Sequence, residues 1–389
     1  MLAQTMCYNR PDAMPETLAD EIAACRSLGA FHDLLIARGI HRPGPRFVHL
    51  ELDITNRCNL RCVMCYHSFE SVRRARTVHM TPEEFDAVAA RVLPHAYKLT
   101  LSLGNEPLMS PHFMPILRAA AVYRVPEVNF FTNGLLLMDD SIDAIVESGV
   151  TQVCVSIDGA TAATYNAIRR NGDFDLLVRN LERLVARRDA AGSAAPALRF
   201  HFVMMQRNIH EIVDFVRLAA RLGVTELNFS HLAAWEGLGM EGESLVHTKA
   251  LSNYWLEKAL TAAAALGVAV PFHPQPFALD AATVPSAPAP AAERPFLPTP
   301  YCAYPFFHVS VGPGGHLLAC PFSHGEPPYG QLGADGPFEA IWLGPRFTTL
   351  RQRILTNDPP DMCRRCTYLS NHYPDTGSLF ATRSQAERT

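Results

Sequence analysis

Residues 49–65 read HLELDITNRCNLRCVMC, a β-rich run that breaks into a loop holding Cys58, Cys62 and Cys65. Thiolates are soft ligands suited to zinc, copper(I) and iron–sulfur clusters. A structural zinc site closes its tetrahedron with four protein ligands, and this loop offers three. Three thiols directly after a strand suit a cubane cluster with one iron left open, so the missing ligand is a small molecule.

Outward from that loop, short β-rich runs alternate with amphipathic stretches. The strand candidates span residues 47–54, 97–103, 125–132, 150–157, 197–205 and 225–230. Between them, segments 81–93, 139–149, 174–191 and 208–223 place apolar residues three and four apart, as helices do. Gly149 and Gly223 stand where helices should stop. Repeated strand–helix–strand order predicts parallel strands joined by right-handed crossovers, hence an α/β fold of about six units, a partial (β/α)6 TIM-like barrel.

The expected organisation is a helical segment over 1–45, the barrel over 46–235, a helical extension with a Pro/Ala-rich connector over 236–300, and a small module over 301–389. That module opens with FFHVSVGPGGHLLAC, two short strands about a Gly/Pro turn. It carries a second thiol group, Cys302, Cys320, Cys363 and Cys366, and spacing alone does not separate zinc from iron–sulfur there.

Composition bounds the rest. The chain has 389 residues, 48% hydrophobic and 19% charged, with a formal net charge of −4, which gives no footprint for nucleic acid or an acidic membrane surface. No stretch of about 18 apolar residues and no signal-like N-terminus is present, so a cytoplasmic protein is expected. In a reducing compartment ten cysteines argue for metal or redox chemistry over a disulfide framework.

The loop CNLRCVMC after its strand resembles the cluster loop of the radical S-adenosylmethionine superfamily. The resemblance implies a [4Fe–4S] cluster on Cys58, Cys62 and Cys65 whose open iron is chelated by S-adenosylmethionine, with reductive cleavage to a 5′-deoxyadenosyl radical. It also implies a reductant of the flavodoxin or ferredoxin type. LGNEP is similar to the family's Gly-Gly-Glu-Pro segment, implying contacts to the methionine amino group from the backbone at Gly104 and from Glu106, with Asn105 in place of a glycine. TNG puts Asn133 near the cofactor, VSIDG puts Ser156 and Asp158 near the ribose, and YNAIRRNGDF implies that Arg169 reaches the methionine carboxylate. Relatives carry an aromatic residue before the last cysteine; here it is Met64, with Tyr66 close by as the alternative for adenine.

GHLLAC, the YGQLG…FEAIWLGPRFTTLRQRI stretch and CRRC resemble the SPASM/Twitch extension of that superfamily. Four cysteines match the shorter Twitch form, implying one auxiliary [4Fe–4S] cluster on Cys302, Cys320, Cys363 and Cys366. With all four ligands from protein, electron transfer fits better than direct substrate coordination; the alternative is a cluster that only staples a small module.

Candidates for substrate chemistry follow from strand alternation, which puts His201, Val203 and Met205 on one face. His201 is a candidate base and Cys154 a candidate hydrogen-atom donor, each set against a plain core role. Ser230, His231, Trp235 and Glu236 could line the pocket mouth, with His67 beside the cluster loop. Arg73, Arg74 and Arg76 form a basic run that suits an anionic group or simply solvent.

The leading expectation is oxidation of an unactivated C–H of a small polar metabolite, dehydrogenase-fashion, with the auxiliary cluster as electron acceptor. The alternatives are maturation of a ribosomally made peptide, against which the shortness of the N-terminal segment weighs, a radical epimerase or dehydratase, and, from another class, a zinc-stapled binding module without catalysis.

Overall fold

The computed structural model describes residues 17–38, 44–102, 104–279, 302, 304–312, 314–321, 327–356 and 358–364. The Pro/Ala-rich connector beyond residue 279 and Cys366 lie outside the described residues.

Twelve strands occur among the described residues, in chain order: β1 Val48–Leu52, β2 Arg61–Cys62, β3 Ala96–Leu101, β4 Glu127–Thr132, β5 Gln152–Ser156, β6 Arg169–Arg170, β7 Ala197–Met204, β8 Glu226–His231, β9 Ala269–Phe272, β10 His308–Val311, β11 His316–Leu318 and β12 Gly330–Gln331. Ten of them form one sheet in the order β12-β11-β10-β1-β3-β4-β5-β7-β8-β9. From β10 through β1 to β9 every pairing is parallel, and helices connect most consecutive strands. This is the partial TIM-like barrel that the alternating pattern predicts, with all six expected strands present.

Period-two alternation explains the layering. In β7 the residues Leu198, Phe200, Phe202 and Met204 are buried in the main core, while Arg199, His201 and Val203 lie on the other face. The helix Ile212–Arg221 covers the apolar face with Ile212, Phe215, Val216 and Ala219, an i, i+3, i+4, i+7 stripe. Burying a phenylalanine such as Phe215 there contributes about 1.5–3 kcal/mol. The helix Pro82–Val92 is started by a capping box between Thr81 and Glu84 with proline at its first position. Gly149 and Gly223 take φ of 78° and 69°, the left-handed geometry of helix stops.

Two features were not legible in the pattern. Strand β9, inside the expected extension, adds to β8 and prolongs the barrel sheet. The hairpin β10–β11 forms as expected about Gly314 and Gly315, but β10 also pairs in parallel with β1, His49 opposite His308 and Glu51 opposite Ser310, so the C-terminal module joins the barrel sheet.

The N-terminal helices Thr17–Ala24 and Leu28–Ala37 pack on that module. The Leu28 amide donates to Glu339 Oε1 at 2.6 Å, and the buried Arg351 guanidinium lies 4.6 Å from the ring centres of both Phe31 and Trp342. Arg351 donates to the Trp342 carbonyl at 2.6 Å and the Pro305 carbonyl at 2.8 Å. Burial pushes its pKa down to about 9; aromatic faces and carbonyls stand in for a carboxylate. No helix among the described residues is long and apolar enough to cross a membrane.

Candidate active site

The three thiols of the loop are held by contacts from four directions. Arg61–Cys62 forms a two-residue antiparallel ladder with Arg169–Arg170, Cys62 opposite Arg169, and the Val63 amide donates to the Ile168 carbonyl at 2.9 Å. The Cys65 amide and the Ser68 hydroxyl both bond the Cys62 carbonyl, at 2.9 and 2.8 Å. The Glu106 amide donates to the Arg57 carbonyl at 2.9 Å, and Asn133 Nδ2 donates to Asn59 Oδ1 at 2.8 Å. The segments that end β3 and β4 therefore touch the loop directly, and the end of β5 reaches it through the Asp158–Arg169 pair.

Donors also face the sulfurs. Arg169 Nη1 lies 3.8 Å from Cys62 Sγ and Asn133 Nδ2 4.0 Å from Cys58 Sγ. Burial pushes the Cys58 thiol up, and drives Cys62 up to about 12 against the pull of Arg169; Cys58, Cys62 and Cys65 also repel one another as thiolates. A thiol trio with Cys62 buried, Cys58 and Cys65 partly buried, and a guanidinium and an amide turned toward it fits a cluster, whose iron would supply the charge that makes thiolates stable there. No three His, Cys, Asp or Glu side chains among the described residues are placed to hold a single metal ion. A cluster several atoms across asks for wider spacing than one ion does.

Arg169 is bifunctional. Its Nη2 sits 2.7 Å from Asp158 Oδ2, with both residues buried; burial works against its charge, but Asp158, Cys62, Tyr165 and Cys58 together outweigh it. Asp158 Oδ1 accepts the Val203 amide at 2.8 Å, and its carbonyl accepts from Asn208 Nδ2 at 3.0 Å. Each carboxylate oxygen thus has a protein partner, Arg169 on one and the Val203 amide on the other. Glu106 is arranged alike: it accepts from Thr132 Oγ1 at 2.9 Å and the Asn133 amide at 2.7 Å, and burial pushes its pKa up to about 7. Its carboxylate ties the end of β4 to the 104–108 segment, and its backbone amide joins that segment to the loop.

Ser102, with φ of 60°, bends the chain out of β3 just ahead of that segment. Tyr66 donates to the Gly104 carbonyl at 2.7 Å and lies 5.7 Å from the Trp235 ring, while His67 Nε2 is 3.0 Å from Asn105 Oδ1. Tyr66 is therefore engaged by protein. Met64 packs with Val203, Ala234 and Leu238 against the small core of Val63, Ile168, Met205, Leu232 and Met240.

The substrate candidates separate. His201 Nε2 is 2.9 Å from Ser230 Oγ, and Ser156 is its register neighbour on β5. Burial, with Arg169 and Arg199 nearby, brings His201 down to about 4, so it is neutral. Cys154 pairs in register with Arg199, whose Nε donates to Glu226 at 2.8 Å, and so lies two residues back along β5 from Ser156, beside a layer of ion pairs. His231 lies on the opposite face, 4.9 Å from the Phe277 ring. Arg73 and Arg74 both pair with Glu70, which consumes most of the basic run. Cys302, Cys320 and Cys363 flank β10, β11 and the short helix Asp361–Arg364.

Sequence reasoning missed the β2–β6 ladder, Asn59 and Asn208. Two-residue strands have no periodicity to read, and lone asparagines in loops carry no signal before the fold places them.

A strand-end thiol loop set into a parallel barrel, with a cysteine-bearing hairpin attached, defines an iron–sulfur enzyme. Residues 52–219 match the Radical SAM superfamily model and residues 302–367 match the iron-sulfur cluster-binding SPASM domain. The chain belongs to the radical SAM superfamily and carries a C-terminal SPASM/Twitch-type module. Its curated relatives include the mycofactocin maturase of Mycobacterium tuberculosis, 28% identical over 314 residues that cover 78% of this chain and 71% of that one. They also include a GTP 3′,8-cyclase of Geobacter sulfurreducens, 29% identical over 220 residues, 55% of this chain and 65% of that one.

Among solved structures, Streptococcus suis SuiB bound to precursor peptide SuiA aligns with a TM-score of 0.60 at 12% identity, over 83% of this chain and 70% of that one. The anSMEcpe enzyme with bound AdoMet aligns at 0.53 and 17%, over 83% and 88%. These two establish the fold alone. The protein is an iron–sulfur enzyme that abstracts a hydrogen atom from a small-molecule or peptide substrate.

Proposed function

We propose that this chain matures a peptide in natural-product biosynthesis. The supporting observation is the likeness to a mycofactocin maturase, which runs through 78% of the chain, whereas the likeness to GTP 3′,8-cyclase covers 55%. It supports peptide maturation better than oxidation of a small polar metabolite, which becomes the second reading.

In this reading Cys58, Cys62 and Cys65 hold the radical cluster, and Cys302, Cys320, Cys363 and Cys366 the auxiliary one. When bound, the first cluster and S-adenosylmethionine supply the radical that takes a hydrogen atom from substrate. Arg169 and Asn133 direct donors to the thiolates, Glu106 and Asp158 hold those donors in place, and Ser156 borders the cofactor side of the barrel. Met64 and the Tyr66–Trp235 pair close the loop against water. His201, held neutral at a pKa of about 4, is a weak base and lies against Ser230. Cys154, lying beside ion pairs, is set aside as a hydrogen-atom donor.

The test is deuterium transfer. Anaerobically reconstituted protein, dithionite and S-adenosylmethionine are incubated with a panel of side-chain-deuterated peptides and, separately, deuterated polyols and aminocyclitols. Label in 5′-deoxyadenosine from peptide is expected. Label arriving only from the small metabolites would overturn the reading.

A further inference from the structure

Strands β7 and β8 present an uncharged wall to the barrel interior beside Ser156. Leu227 and Phe229 are in the helix-covered core, so Asn228 and Ser230 face inward with His201 and Val203. His201 is opposite Asn228 in register and Val203 opposite Ser230. The neighbouring charges are matched: Arg199 with Glu226, and Arg169 with Asp158 at 2.7 Å. A carboxylate arriving at this wall meets no unmatched cation.

One atom on the wall is unsatisfied. Asn228 Oδ1 is shielded from solvent and has no hydrogen-bond partner. Buried polar atoms are paired in the great majority of native structures, so the half-buried Asn228 carboxamide calls for a donor from outside the protein, met once rotation brings this oxygen to its open side. Beside it, His201 Nε2 lies 2.9 Å from Ser230 Oγ, and in the tautomer that carries its proton on Nε2 the neutral imidazole donates to Ser230 and leaves the serine hydroxyl proton free to point inward. An acceptor and a donor side by side complement the N–H and C=O of an amide.

We infer that Asn228 and Ser230, the latter oriented by His201, form a subsite for one uncharged amide of the substrate. The inference deepens the peptide-maturase reading and rests on it for the choice of a backbone amide. Asn228 accepts the amide N–H, Ser230 donates to the carbonyl, and His201 is a positioning residue. Turning the carboxamide over exchanges the roles without changing the class of ligand, since either orientation offers an acceptor and donors.

The experiment uses reconstituted holoprotein with S-adenosylmethionine and ligand-observed NMR titration of three matched probes, N-methylisovaleramide, methyl isovalerate and isovalerate. The amide is expected to bind about tenfold better than the ester, which lacks only the N–H, and isovalerate not at all. Asn228→Ala and Ser230→Ala should each erase the amide preference, with circular dichroism and melting temperature reporting that the variants are folded. His201→Phe should weaken amide binding, and His201→Gln, which keeps a donor, should restore part of it. Equal binding of the three probes, or an amide preference that survives Asn228→Ala, means that water meets the carboxamide and overturns the inference; because the ester comparison needs no variant, misfolding cannot blur it. A capped peptide, N-acetyl-leucine N-methylamide, that binds Asn228→Ala as well as the native protein sinks the subsite and leaves the maturase reading. If the monoamide binds through Asn228 but the capped peptide is excluded, the maturase reading fails and the subsite stands.

Discussion

Arg169 joins two sites with one guanidinium: Nη1 lies 3.8 Å from Cys62 Sγ and Nη2 lies 2.7 Å from Asp158 Oδ2. The cluster loop and the end of β5 are thereby coupled through a single buried cation. Asp158→Ala leaves that cation unpaired, and loss of one partner of a buried ion pair costs about 3–5 kcal/mol. Urea unfolding of the apoprotein should show that drop, and Arg169→Lys, which cannot span both positions, should unfold early as well.

Gly172 is a second route to the same residue. A Cβ there would lie 2.5 Å from the Arg169 carbonyl oxygen and 2.9 Å from Tyr165 Cε1, closer than real contacts allow. Gly172→Ala should therefore displace Arg169 without removing its charge. The expected phenotype is folded protein with weakened S-adenosylmethionine binding, read by equilibrium dialysis; unchanged binding would separate Arg169 from the cofactor site.

Cysteine substitutions should divide the iron. Two cubanes hold about eight irons, so Cys62→Ala should lower the content to about four and abolish 5′-deoxyadenosine release. Cys363→Ala should also fall to about four yet continue to release it, with loss confined to modified product. Iron and sulfide analysis beside product chromatography measures both.

His201 predicts a pH dependence with a definite sign. Its folded pKa of about 4 lies below the ordinary histidine value, so the unfolded chain binds the proton first as pH falls. The contribution is present above about pH 6.5 and is lost as pH falls toward about 4. His231 shifts in the same direction, so His201→Gln should flatten part of the acid-side decline in melting temperature. A curve that keeps its full slope would show that His201 is accessible to water.

The barrel was readable because its cause is local. A pattern such as LRFHFVM shows its period directly, and the Thr81 to Glu84 box starts a helix within four residues. The thiol loop was readable because ligand chemistry constrains residue type. What stayed hidden depends on residues distant in sequence. Glu106 and Asp158 look like ligand contacts in a motif, and only the fold reveals that Thr132, Asn133, Val203 and Arg169 also bond them. Ser230 reads as a pocket-mouth candidate, whereas Asn228 carries no signal in ELNFSH until β7 sets His201 opposite it.

The pairing of β10 with β1 bears on how such enzymes can be shortened. Cutting the chain before residue 301 would leave β1 as a raw sheet margin, the amides and carbonyls that His49–Leu52 turn toward β10 stripped of partners and open to a neighbour's strand. A radical domain expressed alone should self-associate, whatever its iron content, because the last module serves as a stave of the cask.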